Sequence, residues 1–119
     1  MDESDRMQSP IFTKTSDFLL WLLNHTEGFP KNERFRMAKR LEDSAFSFYE
    51  LLIETSRTSK RKRAILIKAD VELEKLRLFI RLSHQRKLTK MDQYHFASET
   101  LVELGKLLGG WLKTLPENS

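Results

Sequence analysis

Apolar side chains recur three and four residues apart over most of this chain, and no other feature restricts its fold as tightly. Within residues 32–57 the row Ala38, Leu41, Ala45, Phe48, Leu52 and Thr55 keeps that spacing without a break. An α-helix turns about every 3.6 residues, so the row lies along one face; a strand would need strict alternation. The rhythm returns in Leu66, Ala69, Leu73, Leu76, Ile80 and Ser83. It returns again after Thr89, in Met91, Tyr94, Ser98, Leu101, Gly105, Leu108, Leu112 and Leu115. Each row predicts the buried seam of a long amphipathic helix.

Four Gly and three Pro punctuate the whole sequence, and with the Ser/Thr clusters they divide it into blocks. Ser16 is a good N-cap for a first helix bearing Phe18, Leu19, Leu22 and Leu23, which stops at Gly28-Phe29-Pro30 because Pro cannot continue a helix. Thr58-Ser59 separates the second block from the third, the polar residues 84–87 close the third, and Pro116 ends the fourth. Residues 1–10 and 116–119 read as flexible ends of a single 119-residue domain. Three long helices and a shorter one, joined by short connections, predict an all-α, antiparallel up-down-up-down four-helix bundle. A second apolar row on the third block, Ile67, Val71, Leu78 and Leu82, reads either as contact with another subunit or as a wide core face.

Composition removes several functional classes. With no Cys there are no disulfides, thiolate metal sites or cysteine nucleophiles. His25, His84 and His95 fall in different blocks without a ligand motif, so neither catalysis nor a metal site is assigned, and no cofactor is expected. Gly109-Gly110 is followed by Trp111 rather than by the Lys-Ser or Lys-Thr of a phosphate loop. The acidic, polar residues 1–9 do not read as a signal peptide, and the apolar run 18–23 is too short to span a membrane. A cytoplasmic, non-catalytic protein is the expectation.

Two features remain for function. Gly105 and Gly109 stand one helical turn apart, each costing about 1 kcal/mol of helix propensity. They predict close packing, within the bundle or between subunits, with Trp111 in the same contact. The 21 Lys and Arg exceed the 17 Asp and Glu by four, and alternating helix directions would gather much of that excess at one end. There Lys31, Arg34, Arg36, Lys39 and Arg40 would meet Arg77, Arg81, Arg86, Lys87 and Lys90, with Lys60-Arg61-Lys62-Arg63 at the other end. Arg77 and Arg81 share a face just outside the core stripe. Such a cluster either binds nucleic-acid phosphates by releasing counterions or is a solvated face with local pairs such as Glu74 with Arg77 and Glu42 with Lys39. The aromatic residues Phe35, Phe46, Phe48 and Phe79 read as core or boundary positions rather than as a stacking platform.

Particular strings go beyond bundle patterning. Pro10-Ile-Phe-Thr-Lys-Thr, Asp17-Phe-Leu-Leu-Trp-Leu-Leu and Arg34-Phe-Arg-Met-Ala-Lys-Arg resemble the accessory variability determinant (Avd) family of diversity-generating retroelements. So do Ala69-Asp-Val-Glu-Leu-Glu-Lys-Leu-Arg-Leu-Phe-Ile-Arg-Leu and Leu104-Gly-Lys-Leu-Leu-Gly-Gly-Trp-Leu-Lys. The likeness covers residues 9–115 and departs at Asn24 and in the basic turn 60–63. It implies a bundle that assembles into a homopentameric barrel and binds the retroelement's reverse transcriptase, template-repeat RNA and cDNA, supporting mutagenic copying without doing chemistry itself. It also implies nucleic-acid contact by Arg77 and Arg81, to which the charge pattern adds Arg36, Arg40, Arg86 and Lys87. The neighbouring alternatives are the related bundles encoded by intervening sequences of 23S ribosomal RNA genes, and a purely protein-interacting bundle.

Overall fold

The computed structural model describes residues 9–119. It contains four helices, α1 (Pro10–Glu27), α2 (Lys39–Arg57), α3 (Lys62–Gln85) and α4 (Met91–Thr114), and no strand among the described residues. A 3-10 turn, Lys31–Glu33, and a single π turn, Arg34–Ala38, lead into α2. Contacts run α1 to α2, α2 to α3, α3 to α4 and α4 back to α1, with α2 and α3 sharing the most extensive one. This closed ring of sequential neighbours, 43 Å long and 25 by 23 Å across, is the expected up-down-up-down bundle. No described helix is long and apolar enough to cross a membrane.

The predicted seams of α2 and α3 are buried residue for residue, from Ala38 to Thr55 and from Leu66 to Ser83. The seam of α4 is rotated from the expected one. Ala97, Leu101, Leu104 and Leu108 form its buried stripe, while Tyr94, Ser98, Gly105 and Leu112 are half-buried and Met91 is 66% exposed. Two three-four rows overlap on this helix, sharing Leu101 and Leu108, and its position between α1 and α3 selects the other one. In α1, Phe18 and Leu22 are buried as expected, Leu19 is half-buried, and Leu23 faces outward.

The first helix begins earlier than Ser16 suggested. Ser9 is the extended N-cap residue and its carbonyl accepts from the N–H groups of Phe12 and Thr13, both at 3.1 Å. Pro10 takes the first helical position, where its missing N–H costs nothing. Pro10 is therefore helical rather than part of a loose start, and residues 1–8 of that predicted flexible end lie outside the described residues. At the other end the chain past Pro116 makes a turn in which Ser119 N–H bonds to the Pro116 carbonyl at 3.1 Å. Arg63, from the basic turn, closes α4 by donating to the carbonyls of Leu112 (3.1 Å) and Leu115 (2.9 Å). Part of that turn's charge thus satisfies carbonyls that a helix end leaves without partners.

The link between α3 and α4 is held by a buried polar knot. Ser83 Oγ donates to the Ile80 carbonyl at 2.8 Å, so the Thr89 hydroxyl, 2.8 Å away, must donate to Ser83. Thr89 Oγ1 is then left to accept from His25 Nε2 of α1, also at 2.8 Å. His84 Nδ1 donates to the Thr89 carbonyl at 2.9 Å and stacks on Tyr94 with ring centroids 4.6 Å apart. His25 stacks on Trp21 and meets the edge of Phe29. Two of the three histidines are thus structural.

Burial lowers the His25 pKa from its ordinary 6.5 because the charged ring loses hydration. As pH falls through 6.5 the unfolded chain takes up this proton while the folded chain resists until a lower pH. The unfolded state therefore binds more protons in that interval, and stability falls with falling pH until folded His25 is itself protonated. Thermal melts across that interval should show the loss in the native protein and a flatter limb in His25→Gln. Equal slopes in the two proteins would remove His25 as the cause.

Candidate nucleic-acid interface

Three of the sequence-predicted arginines converge at the end of the bundle where α2 begins and α3 ends. Arg36 and Arg40 come from the π turn and the first turn of α2, and Arg86 from the residue that caps α3. Together with Glu33, Phe35, Met37, Phe79 and Leu82 they line an open groove of about 410 Å³. Glu33, only 2% exposed, organises it. Its carboxylate accepts from Arg86 Nη2 at 3.1 Å and lies 3.9 Å from Arg36 Nε. A buried carboxylate without partners would be costly; here two cations from different helices satisfy it, and it fixes them in return. Arg40 is exposed and has no ion-pair partner among the described residues.

The other predicted contacts lie apart from this groove. Arg77 projects from the flank of α3 that meets α4. It pairs with Glu74, as expected from the sequence, and its Nη2 lies 3.5 Å from the Leu101 carbonyl. Gly105 makes room for it, since a Cβ there would come within 2.5 Å of Arg77 Nη2. Arg81 is exposed and has no ion-pair partner among the described residues. Helical geometry turns it about 140° around α3 from Arg86. Between those two flanks runs the second apolar row. Ile67 and Val71 are each about 50% exposed, and Leu78 is exposed too. These three are therefore not a widening of the core, while Leu82, the fourth of the row, is half-buried and lines the groove. The expected pair of Glu42 with Lys39 is replaced by two others: Lys39 reaches Asp43 at 2.9 Å, and Glu42 accepts from Thr26 at 2.5 Å.

The packing residues also separate. Gly105 seats Arg77 inside the subunit, and Trp111 packs against Phe12 with ring centroids 6.2 Å apart. A Cβ at Gly109 would meet nothing within 4 Å, so nothing within the described chain requires a glycine there.

A family model described as bAvd-like matches residues 10–115. The chain belongs to the bAvd-like family. No match was found among curated proteins. Membership accounts for nearly the full length of the bundle and makes the chain an Avd-like accessory protein. Among the described residues of this bAvd-like chain, no three His, Asp or Glu side chains are grouped to hold a metal ion.

Sequence reasoning left Glu33 and Met37 of the groove unassigned and misplaced Phe35. Glu33 carries no periodic signal, and its only visible cue was an acid embedded in the basic string Lys31-Asn-Glu-Arg-Phe-Arg. Phe35, expected at a core or boundary position, is 79% exposed. The three-four row of α2 runs back from Ala38 to Arg34, so spacing never placed Phe35 in the seam; its apolar character alone suggested burial.

Lys87 adds a measurable cost. It closes α3 with a left-handed φ of 66°, and Leu88 N–H bonds back to the Ser83 carbonyl at 2.8 Å. That geometry ordinarily takes Gly. Lys87→Gly should therefore raise unfolding stability by about 1 kcal/mol. If Lys87 contacts phosphate, the same change lowers RNA affinity. Gly105→Ala gives a second test, by a double-mutant cycle in denaturant. In the native background it must displace the Arg77 guanidinium, whereas in Arg77→Ala it should recover about 1 kcal/mol of helix propensity. Additive changes would show that Gly105 does not seat Arg77.

Proposed function

We propose that this protein is the non-catalytic accessory subunit of a diversity-generating retroelement. It binds the element's reverse transcriptase and template-repeat RNA, assembles as a homopentamer, and supports mutagenic cDNA synthesis and the transfer of that copy into a variable region. Family membership supports the role, and the observation that carries the RNA part is the groove of Arg36, Arg40 and Arg86 around buried Glu33. Guanidinium groups held in fixed orientation suit phosphate oxygens, which they contact without reading sequence. Arg81 and Lys87, exposed on neighbouring surfaces, extend the field.

Assembly draws support from two surfaces that a lone subunit leaves unexplained. The exposed row Ile67, Val71 and Leu78 offers apolar area to a second copy, and Gly109 opens the α4 backbone to close approach. Five copies at +4 each carry +20, which concentrates a modest charge into a strong polyanion-binding field.

Co-purification of the tagged protein with the reverse transcriptase and template RNA, across a salt series and with subunit mass measured in parallel, tests this reading. The expected result is a complex containing a pentamer whose RNA affinity falls steeply with salt. Arg36→Ala with Arg40→Ala should flatten the salt slope by about 0.7 to 0.9 per lost phosphate contact. Arg77→Ala with Arg81→Ala should weaken RNA binding while leaving assembly intact. A bundle that retains neither RNA nor polymerase would sink the proposal and leave a protein-interaction bundle of the same fold.

A further inference from the structure

We infer that the groove beside Glu33 takes an unpaired nucleic-acid strand, with a base stacked on Phe35 and its phosphates held by Arg36, Arg40 and Arg86. This rests on the nucleic-acid reading above and narrows it to one class of ligand.

Phe35 is the most exposed large apolar side chain among the described residues, at 79%, and it stands on the rim of the groove the three arginines share. A single exposed aromatic residue would by itself mean little. What distinguishes this one is its company. The groove floor is apolar, built from Met37, Phe79 and Leu82, and its rim is cationic. Flat rings that carry negative charge satisfy both halves at once, and a nucleotide is such a ligand. Its base gains from the phenyl face and the apolar floor, and its phosphate from the guanidinium groups. A duplex keeps its bases stacked on one another, so it could use only the arginines. An acidic peptide would likewise leave the phenyl face without a flat partner.

The local backbone favours the same conclusion. Phe35 sits in the π turn, a conformation that is rare and concentrated at functional sites. Among the charged groups, Glu33 engages Arg86 and approaches Arg36, which leaves Arg40 as the guanidinium without an internal partner. Among the described residues no neutral polar side chain lines the groove, so base edges find no amide or hydroxyl there to read them. Stacking there should tolerate any base.

The test compares fluorescein-labelled oligouridine with the corresponding A·U duplex by anisotropy, across a salt series, using the full chain in its native assembly. Phe35→Ala should weaken binding of the single strand about ten-fold, the equivalent of about 1.4 kcal/mol for one stacked base. It should leave the duplex affinity and the salt slope unchanged. Phe35→Trp should restore the single-strand affinity and Phe35→Leu should not. Arg40→Ala should instead flatten the salt slope for both forms. Unchanged single-strand affinity in Phe35→Ala would overturn the inference, and so would equal rescue by Leu. A change in the mass of the assembly would also overturn it by making Phe35 a contact between copies, and loss of reverse transcriptase alone on co-purification would make it a polymerase contact. Failure of the native protein to bind either RNA form would sink the nucleic-acid reading itself, a result distinct from all of these.

Discussion

The contact between α2 and α3 fixes nearly everything else in this molecule. Leu41, Ala45, Phe48 and Leu52 on one side, and Leu66, Ala69, Leu73, Leu76 and Ile80 on the other, are all buried. Small residues at Ala45 and Ala69 let the helices approach, and the leucines fill the space between and beside them. Because the two helices run antiparallel and are joined by only a few residues, their register is set locally. That register brings the beginning of α2 against the end of α3. Residues 33–40 and 79–87 therefore meet whatever their charges are, and the groove is a by-product of the apolar seam.

What charge adds is orientation. Arg36 and Arg86 belong to different elements and repel each other, so a cluster built from them alone would splay into solvent. Glu33, drawn inward by the 3-10 turn, supplies one buried anion between them. The pairs gain more than exposed ion pairs would, since the carboxylate is shielded from water and salt. A different device serves Arg77. There α4 gives up a side chain at Gly105, and the guanidinium lies in the space against the Leu101 carbonyl. Lys87 is the contrasting case. It holds a left-handed backbone position that glycine would fill with less strain, so folding alone does not explain why a lysine occupies it.

Much of the architecture was legible because periodicity reports burial directly. The seams of α2 and α3 could be named from spacing, and the breaks at Gly28-Phe29-Pro30, Thr58-Ser59 and Pro116 mark where helices stop. The misreading of α4 arises because phase along a helix is relative. In α4 two apolar rows overlap, and only the positions of α1 and α3 decide between them. In α1, Ser16 resembles an N-cap, but Pro10 can start the helix nearly two turns earlier at no hydrogen-bond cost. Ahead of α2, Phe35 reads as a core or boundary position from its apolar character, and Glu33 is not assigned at all. The arginines of the groove were legible as a group, because charge clustering at a helix end needs only helix direction. Their separation from Arg77 was not legible, because that depends on which flank of α3 faces α4.

The proposed function asks how a bundle of modest charge would serve as a nucleic-acid scaffold. Within the groove, Glu33 cancels one of three guanidinium charges, so the local field is weaker than a count of arginines suggests. A single groove of this kind would hold a strand loosely at physiological salt, where charges beyond about 8 Å are largely screened. Repetition would compensate. In the proposed assembly, copies arranged by symmetry would present the same groove at fixed intervals, and a strand engaged at one site would meet the next at high effective concentration. Under the proposed assembly, the exposed row on α3 and the open backbone at Gly109 would matter to function for this reason: they would be the surfaces through which one weak, well-oriented contact becomes several.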